Sequence, residues 1–78
     1  NPRADAAIAY ALAAVPPRAR RILDLGCGVG WSSHLLAQRF PAAEVIGADL
    51  SPRNATVAGR LFARPGLRFV AADLGAWP

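Results

Sequence analysis

At 78 residues, 54% hydrophobic and 18% charged, the chain has the composition of one small globular domain whose core, built from these residues alone, is marginal in size. No apolar stretch approaches the ~20 residues a membrane span needs, and no signal-peptide pattern opens the chain, so the expected location is cytoplasmic. The single cysteine, Cys27, excludes an internal disulfide, one Cys and one His are too few for a zinc site, and the net charge of +4 comes from dispersed arginines that suit a solvated face better than a nucleic-acid surface.

Asn1-Pro2 combines a helix-capping side chain with proline at the first helical position, and Ile8, Leu12 and Val15 recur at helical spacing before Pro16-Pro17 ends the pattern. A leading helix is therefore expected within residues 1–17. Arg21 to Leu25 reads as a short strand, released by Gly26, Gly28 and Gly30 into a helix from Trp31 to Phe40 with Leu35, Leu36 and Phe40 inward and Gln38 and Arg39 outward. Pro41 closes it. A second strand covers Glu44 to Asp49. Ser51-Pro52 then caps a helix with an apolar face of Val57, Ala58, Leu61 and Phe62, Pro65-Gly66 breaks it, and Leu67 to Ala72 is the third strand.

Helix, then β-α-β-α-β, predicts an α/β fold with a parallel sheet. Asp24 and Asp49 are 25 residues apart and Asp49 and Asp73 are 24 apart, each about one βα unit. The units share no side-chain pattern beyond this, so a solenoid is not indicated. Right-handed crossovers place both helices on one sheet face. Ile22, Leu23, Leu25, Val45 and Ile46 are nevertheless apolar on both sides of the pleat, as in strands covered on two faces. The 78 residues thus read as the first half of a larger doubly wound domain. Alone they are expected to self-associate through an uncovered sheet edge and face rather than form a well-behaved monomer.

Each strand run ends on an aspartate, Asp24, Asp49 or Asp73, at the carboxyl end of the sheet, where open α/β sheets bind ligands. The glycines permit a tight turn and a close approach of backbone to ligand. They do not fit G-x-G-x-x-G/A, because the third position falls on Trp31 or Ser33. Three carboxylates also oppose a pyrophosphate. A cationic ligand suits this edge better.

These residues resemble the class I S-adenosylmethionine-dependent methyltransferases. Asp24-Leu25-Gly26-Cys27-Gly28-Val29-Gly30 is similar to their first motif, Asp49 to the acid at the end of their second strand, and Ala72-Asp73-Leu74 to their adenine-contacting segment; the likeness spans residues 20–74. It implies a Rossmann-like three-layer sandwich of which this is the first half, with strand order 3-2-1, S-adenosyl-L-methionine as cofactor, and a small-molecule methyl acceptor. It further implies that the backbone at Gly26, Cys27 and Gly28 lies along the methionine part of the cofactor, with Asp24 beside its amino group, directly or through water. Asp49 would accept from both ribose hydroxyls, Leu50 would pack on the adenine, Asp73 would accept from its exocyclic amine, and the Leu74 backbone would read a ring nitrogen. The family's substrate-binding and catalytic segments lie further along, so no catalytic residue is assigned here. The alternatives are a segment of an NAD(P)-binding oxidoreductase, and a non-catalytic S-adenosylmethionine-binding module. No metal, membrane or nucleic-acid partner is indicated.

Other residues read more simply. Cys27 has no identifiable basic partner and suits a small residue between glycines, His34 a surface or packing residue, and Ser32 and Ser33 polar residues of a first helical turn. Trp31 either borders the cofactor site or packs the loop, and Trp77 either covers the adenine edge or belongs to the core that the rest of the domain would complete.

Overall fold

Three short parallel strands carry the architecture: β1 (Arg21–Leu25), β2 (Glu44–Asp49) and β3 (Leu67–Ala71), joined by α1 (Trp31–Arg39) and α2 (Pro52–Phe62). The computed structural model describes residues 15–73, so the expected leading helix falls almost wholly outside the described residues, as do Leu74 and Trp77. The sheet order is β1-β2-β3, with β2 in the middle.

Register decides which side chains share a face. Ile22 pairs with Val45 and Val45 with Leu67, while Asp24 pairs with Gly47 and Gly47 with Phe69. This is the covered face. Val45 and Leu67 are buried there with Leu36, Ala37, Phe40 and Ala43, and Val15, Ile22, Phe62 and Phe69 pack around them. The opposite face aligns Leu23 with Ile46 and Arg68, and Leu25 with Ala48 and Val70. Leu23 is 45% exposed and Leu25 56%, and an apolar groove of about 400 Å³ runs between Arg21, Ile22, Leu23, Ile46, Arg68 and Val70. The described residues therefore form two layers, sheet and helices. The third layer of the expected sandwich is not among them.

Local chemistry explains where the elements stop. α1 ends at Arg39, one residue earlier than expected, because Phe40 takes an extended-side backbone before Pro41 while its N–H still reaches Leu36 O at 2.9 Å. Phe40 stays buried. α2 opens as expected, with Pro52 in the first turn and the Ser51 hydroxyl accepting from Asn54 N–H at 3.2 Å. Gly66 supplies the left-handed position (φ 86°) of the turn whose ends, Arg64 and Leu67, exchange backbone bonds of 3.1 and 2.9 Å. One inward assignment fails. Leu61 is 61% exposed, because the stripe of α2 that meets the rest of the fold runs through Ala58 and Phe62.

Two glycines are required by packing. A Cβ on Gly30 would lie 2.8 Å from Ala58 Cβ and 2.9 Å from the Phe69 ring; one on Gly47 would lie 2.6 Å from both Phe69 and Ser33 Oγ. Gly59, inside α2, has no such neighbour within 4 Å. In the protein containing these residues, Gly47→Ala should lose about 1–3 kcal/mol through overpacking, whereas Gly59→Ala should gain about 0.5–1 kcal/mol from helix propensity. Denaturant unfolding of the two variants checks both signs.

Candidate functional site

The turn after β1 is built on positive φ angles, 69° at Gly26, 58° at Gly28 and 98° at Gly30. These let the backbone fold back onto the end of β2. Ala48 O accepts from Gly26 N–H at 2.7 Å and from Cys27 N–H at 3.0 Å, Asp49 Oδ2 accepts from Gly28 N–H at 2.8 Å, and Cys27 O accepts from Gly30 N–H at 3.0 Å. A Cβ on Gly26 or Gly28 would meet nothing within 4 Å. Open space therefore borders the turn where a ligand could lie against main chain.

Asp49 is tied on both oxygens. Besides the Gly28 bond on Oδ2, Oδ1 accepts from Ser51 N–H at 2.9 Å and Asn54 Nδ2 at 3.3 Å. The Ser51 and Gly28 amides hold its carboxyl below the ordinary aspartate value; desolvation opposes them and the Asn54 side chain adds a lesser help. Asp49 thus acts as a turn former and remains a partly exposed anion at the strand end. Leu50 beside it is 69% exposed. Asp73 is exposed two residues beyond β3, and Leu74 lies outside the described residues.

The three acids are not level. Asp24 stands opposite Gly47, two residues below Asp49, and Asp49 stands opposite Ala71, two residues before Asp73. They climb diagonally across the sheet. Asp24, the lowest, is half-buried under the first turn of α1, where Ser32 Oγ and Ser33 Oγ donate to its Oδ2 at 2.6 and 2.7 Å. Ser33 is fully buried, which its sequence position did not reveal. A serine in a first turn carries the same sequence signal whether its hydroxyl faces water or a carboxylate.

Cys27 is 6% exposed. Burial first, then the charges of Asp24 and Asp49, push its thiol up, the opposite of what a nucleophile needs. His34 stacks on Phe62 with ring centroids 4.7 Å apart, and Trp31 lies 5.6 Å from His34 and 6.0 Å from Phe62. Both rings belong to the α1–α2 packing. Among the described residues no group of three or more His, Cys, Asp or Glu is arranged to hold a metal, and no helix is long and apolar enough to cross a membrane.

Comparison with known proteins points one way. The sequence profile of a family described as a methyltransferase domain matches residues 22–78. Trans-aconitate 2-methyltransferase of Variovorax paradoxus is 48% identical over 67 residues, covering 85% of this chain and 25% of that protein. A TehB-like SAM-dependent methyltransferase from Corynebacterium glutamicum superposes with a TM-score of 0.69 at 35% identity, over 88% of this chain and 35% of its own. The plantazolicin methyltransferase BpumL in complex with SAH gives 0.65 at 27% identity, over 76% of this chain and 22% of its own. The chain spans about a quarter of the length of the curated relatives it matches.

Two outcomes are expected from the electrostatics. Because the folded-state value of Asp49 is depressed, its stabilising contribution is complete above about pH 4 and is lost as pH falls through the lowered value. Urea midpoints measured from pH 5 down to pH 2 should therefore fall more steeply for the wild type than for Asp49→Asn. Cys27 should be alkylated by iodoacetamide near neutral pH more slowly than a free cysteine, in a time course followed by mass spectrometry.

Proposed function

From the premise that this chain belongs to the class I S-adenosylmethionine-dependent methyltransferases, we propose that residues 20–74 form the cofactor-binding segment of a larger methyltransferase domain. In the family order 3-2-1-4, a fourth strand pairs with β1 and further helices cover the open face carrying Leu23, Leu25 and Val70. The observation that carries the cofactor assignment is the junction of the glycine turn with the end of β2. There, one carboxylate, Asp49, receives the Gly28 amide and stays partly exposed beside an open stretch of main chain.

The residues fit S-adenosylmethionine and disfavour a dinucleotide. A pyrophosphate needs free backbone N–H groups. In this turn the N–H groups of Gly26, Cys27, Gly28 and Gly30 all bond to protein oxygens. What remains is rich in acceptors, which suits an ammonium, a sulfonium and ribose hydroxyls. Gly26, Cys27 and Gly28 would flank the methionine part, with Asp24 toward its amino group. Asp49 would accept from the ribose hydroxyls through lone pairs not used by its amide donors. Leu50 offers an exposed apolar surface to the adenine, and Asp73 would accept from its exocyclic amine, with the ring-nitrogen contact assigned to Leu74 by the family resemblance alone.

The cofactor, when bound, supplies a methyl group on a positively charged sulfur, open to in-line attack. The chain's own residues bind and orient; attack is favoured by holding the acceptor in line with the methyl carbon. Catalytic side chains and the acceptor pocket belong, on this reading, to the part of the domain beyond these residues. The relatives named trans-aconitate 2-methyltransferase favour a small organic acid as acceptor, and trans-aconitate is the first compound to assay. A non-catalytic binding module would share the same cofactor contacts, and absence of methyl transfer to any acceptor would identify it.

Calorimetric titration of the full-length protein should show S-adenosylhomocysteine binding more tightly than NAD, and the reverse order would overturn the assignment. Asp49→Ala should weaken S-adenosylhomocysteine binding by about tenfold or more, as expected for hydrogen bonds to a charged acceptor. Unchanged binding with an intact fold would remove Asp49 from the ribose site.

A further inference from the structure

We propose that Ser33, assisted by Ser32, is a positioning residue that sets the Asp24 carboxylate to receive the ammonium group of the cofactor, an inference that rests on the cofactor reading above. Both hydroxyls come from the first turn of α1 and both donate to the same oxygen, Oδ2, at 2.6 and 2.7 Å. Two donors converging on one oxygen fix the rotation of the carboxylate. Oδ1 is the oxygen the helix does not use.

The chemistry of the donors matters. An arginine or lysine in their place would neutralise Asp24. Hydroxyls orient the carboxylate through hydrogen bonds and add no positive charge of their own beside it. Ser33 is 0% exposed, and a hydroxyl buried without a partner costs free energy, so its presence in the core is explained by the bond it makes. The neighbourhood is shaped to hold it. Ser33 Oγ lies 2.6 Å from where a side chain on Gly47 would begin, so only glycine at that position of β2 lets the serine reach across to Asp24 on β1.

The test separates the amino-acid end of the cofactor from its adenosine end. S-adenosylhomocysteine carries the ammonium; 5′-methylthioadenosine keeps the adenosine and the sulfur but lacks it. In the full-length protein, Ser33→Ala should weaken S-adenosylhomocysteine about tenfold and leave 5′-methylthioadenosine unchanged. Ser32→Ala, at a less buried position, should shift the same preference in the same direction with less risk to folding. Equal weakening of both ligands, or of neither, would make the serines structural and overturn the inference while the cofactor reading stands. A wild type that binds the two ligands equally well would also overturn it, since Asp24 would then meet no ammonium. Binding of neither ligand by the wild type would overturn the cofactor reading and this inference together.

Discussion

The glycine turn is fastened to the end of the central strand, and the rest of the site depends on that fastening. Three consecutive amides, at Gly26, Cys27 and Gly28, donate to Ala48 O and Asp49 Oδ2. They reach those oxygens because Leu25 pairs with Ala48, which brings the turn level with the end of β2, and because positive φ at Gly26 and Gly28 folds the chain back. The same aspartate accepts from Ser51 N–H and Asn54 Nδ2 at the start of α2. One side chain therefore couples the turn that opens α1 to the turn that opens α2. Protonating it would loosen both.

Packing on the covered face depends as much on missing side chains as on present ones. Phe69 lies over Gly47 and against Gly30, and Ala58 approaches Gly30 from α2. The helices sit close enough to the sheet for Ser33 to reach Asp24 only because these positions lack a Cβ. The other face has no comparable layer among the described residues. Its apolar groove has Arg21 at the start of β1 and Arg68 on β3, level with Leu23 and Ile46, among its lining residues.

The strands were legible because each is a short apolar run with clear punctuation. β1 is bounded by an arginine cluster and a glycine turn, β2 by small residues and Leu50-Ser51-Pro52, and the structure gives both the expected limits. The Ser51-Pro52 start of α2 was legible for a related reason, since a hydroxyl cap and a proline act within one turn and need no tertiary context. What was not legible depends on partners distant in sequence. The burial of Ser33 requires Asp24 nine positions away and the bare backbone of Gly47, and neither is implied by a serine in a first turn. Leu61 and Phe62 are equally apolar in sequence; only the crossing of α2 over the fold selects Phe62. The strand-end positions put the acids at one carboxyl edge, and only the register, which needs the folded sheet, shows that they step upward along it.

That slope makes the carboxyl edge a measure of molecular length. From the level of Asp24 to that of Asp49 is a climb of two residues, roughly 7 Å along the strands, combined with a sideways step of about 5 Å, and Asp73 lies two residues beyond the end of β3 on the next strand over. A ligand that engages both ends must be stretched out obliquely to the strands, and a fragment equivalent to half of it can occupy only one end at a time. Along such an edge the two ends of an extended ligand would face different strands, with Asp49 between them.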